Sequence, residues 1–112
     1  MKTIKGFLKV LRVKPIYKGD FEKREDVFDN FAKAEDPDIE ILYTEYDTPP
    51  YEGYASVLYY RKSTKKYYEV YGSHCSCYGL EEQWDRDEEI VPEELFKRID
   101  ALKREFESYQ NS

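Results

Sequence analysis

The residues best able to do chemistry are concentrated in one short segment. Between Gly72 and Trp84 lie the only histidine, the only tryptophan and both cysteines of the 112-residue chain. Thiolates and imidazoles are the usual protein ligands of zinc, and a cysteine beside a histidine is also the basis of many nucleophilic sites. Two kinds of chemistry therefore have to be weighed for this segment.

A zinc site here would use His74, Cys75 and Cys77. A closed site needs about four ligands, so one of the carboxylates that follow would have to supply the last. The spacing is unfavourable, because on an extended strand Cys75 and Cys77 would share one face while His74 pointed to the other. The chain has no second cysteine pair and no other histidine. We therefore predict a protein without a cofactor and keep zinc as the alternative.

Nucleophilic catalysis by Cys75 would need His74 as its base and a third group to orient the imidazole. Neighbouring residues of a strand face opposite ways, so the two side chains could meet only in a tight turn, which Gly72 and Gly79 would permit. Free cysteines are more often buried and pack as small apolar side chains. We expect the cysteines to be structural and lean away from an enzyme, with thiol-based catalysis as the second class of function.

Trp84 stands in the most acidic part of the sequence. From Glu81 to Glu94, Arg86 is the only cation among eight carboxylates. An apolar ring in so polar a segment is either buried as an anchor or exposed at the centre of an interface. The sequence predicts a binding patch made of Tyr78, Glu81, Glu82, Trp84, Asp85 and Asp87. If Trp84 belongs to the core instead, we expect the interface on the tyrosine-rich face of the strands between Tyr43 and Tyr78, a range that holds ten of the twelve tyrosines.

Charge and composition indicate the class of partner. The formal net charge is −6, although the first eighteen residues carry six cations and no acid. A net negative domain repels phosphate backbones, which disfavours direct nucleic-acid binding and favours a protein partner, such as a basic or DNA-binding one. No apolar run approaches the roughly 20 residues of a membrane span, and the start does not resemble a signal peptide. We therefore predict that the protein does not enter the membrane. Since Cys-x-Cys closes too small a ring for a good disulfide, we also predict free thiols and a cytoplasmic location.

The strands that must position the segment follow from the apolar patterning. Ala55 to Lys62 and Tyr67 to Gly72 are aromatic and β-branched runs joined by a polar turn, which predicts a central hairpin. Ile39 to Thr44 alternates with the period of a half-buried strand. Residues 4–14 fit both helical and strand spacing, and their glycine and β-branched residues favour a strand that Pro15 ends.

Two helices are predicted to cover one face of this sheet. The first is capped by Asp20 and runs over residues 21–34, ending before Pro37. The second begins at Pro92 and runs to Tyr109 with an apolar stripe at helical spacing. The chain is long enough for one modest core. The predicted fold is therefore a single α+β domain in which an antiparallel sheet of three or four strands packs against two helices.

The string from Gly72 to Trp84, GSHCSCYGLE-x-QW, resembles a signature of small bacteriophage and prophage proteins that have no assigned activity. The resemblance covers only the end of the hairpin through Trp84. It implies an intracellular accessory protein of phage type and assigns no catalytic residue. Together with the charge, it predicts a small acidic binding protein that contacts a host macromolecule. With a DNA-binding partner, such a protein would act as a charge mimic of nucleic acid.

Overall fold

The computed structural model describes residues 4–48, 52–75 and 79–110. In chain order, the elements are α1 (Ile4–Val13), β1 (Ile16–Gly19), α2 (Arg24–Asn30), β2 (Ile39–Asp47), β3 (Glu52–Arg61), β4 (Lys66–Cys75), a 3₁₀ turn (Gln83–Arg86), β5 (Glu88–Ile90), α3 (Pro92–Arg98) and α4 (Asp100–Gln110). The architecture is α+β, as predicted. Each helix in the described ranges is too short or too polar to cross a membrane.

The sheet has five strands in the order β1-β2-β3-β4-β5. Strands β2 to β5 are antiparallel, and β1 runs parallel to β2, so the sheet is mixed. The predicted hairpin is confirmed as β3 and β4, with Tyr59 opposite Tyr68 and Tyr60 opposite Tyr67. Aromatic cross-strand pairs of this kind stabilise a hairpin. The predicted antiparallel sheet of three or four strands is therefore right in its centre and wrong at its edges.

Helices cover both faces of the sheet, which corrects the prediction of a single covered face. Alternate residues of β3 belong to different hydrophobic clusters: Val57 and Tyr59 pack with α2, whereas Leu58 and Tyr60 pack with α1, α3 and α4. Because both faces are covered, β2 is not the half-buried strand that its alternation predicts. Leu42 and Thr44, expected on the open face, are both fully buried.

Residues 4–13 form α1, so the predicted strand over residues 4–14 is wrong. Phe7, Leu8 and Leu11 recur at helical spacing, and all three are buried in the cluster that contains α3 and α4. Burial of one apolar stripe outweighs the weak strand preference of Val10 and Val13, since propensity is easily overridden by tertiary packing. Val13 itself is 79% exposed, just before the proline that follows the helix.

The helix predicted over residues 21–34 is shorter at both ends. Asp20 does not cap it, because the N-cap position is Lys23 and the Asp20 carboxylate accepts a hydrogen bond from the Thr48 hydroxyl instead. The Asp20 backbone N–H donates to the Tyr46 carbonyl (3.0 Å) and extends the pairing of β1 with β2. The helix starts at Arg24, where the Asp26 carboxylate accepts backbone N–H bonds from the preceding turn. It ends at Asn30, shortly before Ala32 adopts a φ of 52°.

The predicted C-terminal helix begins at Pro92 as expected, but it is interrupted. Ile99 has an extended conformation (φ −117°, ψ 102°) and separates α3 from α4. The apolar stripe survives the interruption, since Leu95, Leu102 and Phe106 are all buried in the same cluster. Ile99 also lines a cleft between the two helices and the sheet.

Candidate functional site

The segment that holds the rare residues is fixed to the edge of the sheet by Gln83. Its side chain is buried and replaces a missing strand partner of β4. Gln83 Nε2 donates to the carbonyls of Ser73 and Gly79, both at 2.7 Å, and Gln83 Oε1 accepts the Ser73 N–H at 2.9 Å. Buried backbone groups without partners are costly, so these three bonds hold the 3₁₀ turn against β4.

Trp84 lies in the core beneath the acidic segment. It is 7% exposed, and its ring stacks on Tyr59 with centroids 5.3 Å apart and meets Phe31 edge-on at 5.2 Å. Phe28 completes the aromatic group at 5.8 Å. Of the two roles that the sequence allows for Trp84, the position of the ring is that of a buried anchor. Its surface is not available to a partner in this structure.

Most carboxylates of the segment point away from the core. Glu81, Glu82, Asp85 and Glu88 are exposed, and none has an ion-pair partner among the residues that the structure describes. We call these four residues the acidic edge. The 3₁₀ turn that follows Glu82 requires that residue to adopt a left-handed φ of 67°, which is uncommon for a residue with a Cβ.

Asp87 and Tyr78 do not join the acidic edge. Asp87 is half-buried and accepts a hydrogen bond from the hydroxyl of Tyr59, a fully buried residue. Burial and the Asp87 carboxylate both raise the pKa of Tyr59. Asp87 therefore satisfies a core hydroxyl. Tyr78 lies outside the described residues, as does Cys77.

Tyr71 is the exposed aromatic ring that borders the acidic edge. The side chain is on β4, the residue is 52% exposed, and it lines a shallow depression of about 200 Å³ together with Glu69, Arg86 and Glu88. Its hydroxyl donates to Glu69 Oε2 at 3.0 Å and accepts from Arg98 Nη2 at 2.6 Å. Burial, followed by the Glu69 charge, raises the pKa of Tyr71. The ring is thus held in place by two polar contacts while one face stays accessible.

His74 and Cys75 end β4, but the imidazole is engaged elsewhere. His74 Nδ1 lies 2.7 Å from the hydroxyl of Tyr46 on β2. The ring fits because Gly53 stands opposite it on β3, where an added Cβ would come within 2.2 Å of His74 Cε1. In the described ranges no three His, Cys, Asp or Glu side chains form a group that could hold a metal ion. The prediction of a protein without a cofactor stays a prediction, with zinc binding and thiol-based catalysis as its alternatives.

Sequence reasoning missed Tyr71 as a bordering residue and missed the cleft beneath α4. The cleft is lined by residues from β1, β2, β3, β4 and both C-terminal helices, among them Lys18, Glu45, Glu69, Arg98 and Arg104. These residues are far apart in the sequence, and only strand register brings them together. Their one shared signal is charge, which is too common along this chain to single them out.

The chain was compared with protein-family models, curated proteins and solved structures, and no match was found in any of the three. The contacts, burial and charges described above are therefore the basis for a functional proposal.

Proposed function

We propose that the protein is a small acidic binding protein, not an enzyme, that contacts a basic macromolecule of its host cell. The contact surface is the acidic edge together with Tyr71. The observation that carries the proposal is the arrangement of the edge: Glu81, Glu82 and Asp85 are exposed and unpaired, on a backbone that Gln83 and Trp84 anchor from the inside.

Anchoring the charged segment favours binding. A mobile acidic tail loses conformational freedom when it meets a partner, and that loss weakens the complex. Here the backbone is already ordered by the Gln83 hydrogen bonds and by the packing of Trp84. The carboxylates then contribute mainly by steering the encounter with a cationic surface, which raises the association rate.

Tyr71 takes the role that the sequence suggests for Trp84. An exposed tyrosine with a fixed hydroxyl offers contact area at a small cost in side-chain entropy. Its ring is next to Glu88 and Arg86 at one end of the acidic edge. The proposed interface therefore has an aromatic contact at its end and carboxylates along its length, and it contains neither Trp84 nor Asp87.

A DNA-binding protein is the partner class we propose. Such proteins carry basic surfaces suited to a row of negative charges, and a rigid row of carboxylates can occupy them as a charge mimic. The resemblance of the string between Gly72 and Trp84 to phage and prophage proteins supports an accessory role directed at a host component. A cytoplasmic location is part of the same proposal.

The test is capture of partners from a lysate of the native host by three versions of the protein. The first is the unaltered chain, and the second carries Glu81→Lys, Glu82→Lys and Asp85→Lys. The third is a matched control with the same charge change on exposed acids elsewhere: Glu22→Lys, Glu105→Lys and Glu107→Lys. We expect one partner, identified by mass spectrometry, to be retained by the unaltered chain and the control and lost by the edge variant. Equal retention by all three would reject the acidic edge.

The thiol and metal alternative has its own test. The double variant Cys75→Ser, Cys77→Ser should fold and capture the same partner, because the proposed interface uses neither cysteine. Elemental analysis of protein purified without a histidine tag should find a zinc ratio near zero. Loss of capture in a folded double variant, or stoichiometric zinc, would instead favour the second class of function.

A further inference from the structure

A cleft of about 380 Å³ opens between the sheet and the junction of α3 with α4. Two rows of side chains form its floor, because register places residues of four strands side by side. One row is Tyr43, Leu58 and Glu69, and the next is Lys18, Glu45, Ser56 and Tyr71. Arg98, Ile99, Asp100, Ala101 and Arg104 close it from above. The volume is within the range of about 300–1,000 Å³ typical of small-ligand pockets.

Several charges of the cleft are already paired. Arg98 Nη1 lies 2.7 Å from Glu69 Oε1, and the Glu69 carboxylate is buried. Asp100 is 3.9 Å from Lys103. Glu45 accepts the Tyr43 hydroxyl at 2.7 Å.

Two cations of the cleft remain, one in its floor and one on the helix above it. Lys18 on β1 and Arg104 on α4 form no ion pair with any residue of the described ranges. Lys18 Nζ lies 6.0 Å from the centroid of the Tyr43 ring. Arg104 lines the same cleft from α4, as does Tyr43 from the sheet. Burial and Glu45 raise the pKa of Tyr43. Both cations therefore line the cleft together with Tyr43, Lys18 from the sheet and Arg104 from the helix above it.

We propose that this cleft binds a small organic acid that also carries a hydroxyl or ammonium group. Its carboxylate lies between Lys18 and Arg104, and its hydrogen-bond donor reaches Glu45. The cleft shares Tyr71 with the proposed interface, but the three groups that would hold the ligand are outside that interface, so this proposal does not depend on the function proposed for the edge.

The polar groups that line the cleft favour this chemical class of ligand. Lys18 and Arg104 supply donors and positive charge, which suit a carboxylate. Glu45 is an acceptor with lone pairs beyond the one used by Tyr43, so it favours a ligand that donates. The Ser56 hydroxyl stands between Glu45 and Tyr71 in the same row and can serve either role. A ligand with only a negative charge would not use the remaining lone pairs of Glu45. A ligand with only a positive charge would be repelled by Lys18 and Arg104.

The test is a titration followed by two-dimensional ¹H–¹⁵N NMR, with malate and L-serine as probes. Acetate, which has no added donor, and glycerol, which has no charge, are the matched control ligands. We expect malate or L-serine to shift the backbone resonances of Ser56 and Ala101 saturably, with at least about tenfold weaker binding by acetate and by glycerol, the effect of losing a charged hydrogen bond.

Variants distinguish the proposed site from weak surface binding. Lys18→Gln and Arg104→Gln should each weaken probe binding about tenfold or more. Lys97→Gln, which removes an exposed cation that does not line the cleft, should leave the probe affinity unchanged. The proposal is overturned if no probe shifts the cleft resonances, or if all three variants weaken binding equally. The edge variant with Glu81, Glu82 and Asp85 replaced should bind the probes normally.

Discussion

The acidic edge and the cleft beneath α4 use carboxylates in opposite ways. In the cleft, Glu69 is buried and its charge is matched by Arg98 at 2.7 Å. At the edge, Glu81, Glu82 and Asp85 are exposed and have no ion-pair partner in the described part of the chain. Paired buried charges must stay paired for the domain to be stable, whereas unpaired exposed charges contribute little to stability. The comparison therefore separates acids that support the fold from acids that are free to meet a partner.

The largest effect should come from removing the anchor of the edge. Trp84→Ala leaves a cavity among three aromatic rings, and we expect it to lower the free energy of unfolding by about 3–5 kcal/mol. Asp85→Ala, at the next residue, should change it by less than about 0.5 kcal/mol. Urea denaturation followed by circular dichroism measures both. A Trp84→Ala protein as stable as the unaltered chain would mean that the ring is not in the core.

A smaller loss is expected in the cleft. Arg98→Ala leaves the Glu69 carboxylate buried without its cation, and we expect a cost of about 1–3 kcal/mol, less than for a fully buried pair because the Arg98 side chain is 41% exposed. Adding Glu69→Gln should recover part of that loss in a double-mutant cycle. If the two substitutions were simply additive, the pair would not be coupled and the contrast with the acidic edge would fail.

Asp87 is an acid of the acidic segment that supports the core, because it accepts a hydrogen bond from the buried Tyr59 hydroxyl, and alkaline pH should reveal the burial of that hydroxyl. The pKa of Tyr59 is raised in the folded state, so above pH of about 10 the unfolded chain releases this tyrosine proton while the folded chain keeps it. The free energy of unfolding should therefore decrease as pH rises. Tyr59→Phe should reduce that slope by at most about 1.4 kcal/mol per pH unit. Urea midpoints between pH 8 and 11 measure it, and identical slopes would contradict the assignment.

The smallest effect is expected at Glu82, whose φ of 67° favours glycine. Glu82→Gly should raise the free energy of unfolding by up to about 1 kcal/mol, because the left-handed region is unfavourable for residues with a Cβ. Asp85→Gly, within the 3₁₀ turn and without a positive φ, should lower it slightly. Thermal denaturation of the two variants tests the difference. A loss of stability in both would show that the turn is not strained at Glu82.

The centre of the fold is predictable from the sequence, but its periphery is not. The hairpin of β3 and β4 carries long aromatic and β-branched runs, and Pro92 marks a helix start. Strands β1 and β5 have only four and three residues, which is too short for an alternation to be recognised. The apolar residues of the range 4–13 fit both helical and strand spacing. The helix is favoured only because it buries one apolar stripe against the rest of the core. The apolar residues from Leu95 to Phe106 keep helical spacing, so the pattern does not indicate the break at Ile99.

Of the residues predicted for the binding patch, Glu81, Glu82 and Asp85 lie on the exposed acidic edge, whereas Trp84 and Asp87 are turned toward the core. Crowding of rare residues between Gly72 and Trp84 marks the segment, and its acids are exposed. The roles of Trp84 and Asp87 depend on which way each side chain points from a short 3₁₀ turn, which no pattern reveals. Strand register pairs Glu69 of β4 with Glu88 of β5, and this pairing brings Tyr71, two residues after Glu69, close to the acidic edge.

The most direct test of the central claim is the salt dependence of association with the captured partner. Stopped-flow or surface-based kinetics would compare the unaltered chain with the variant carrying lysine at positions 81, 82 and 85. If the acidic edge steers the encounter, the association rate of the unaltered chain falls as salt rises, and the variant associates more slowly at low salt. An association rate that ignores salt, or one that is the same for both proteins, would contradict the account.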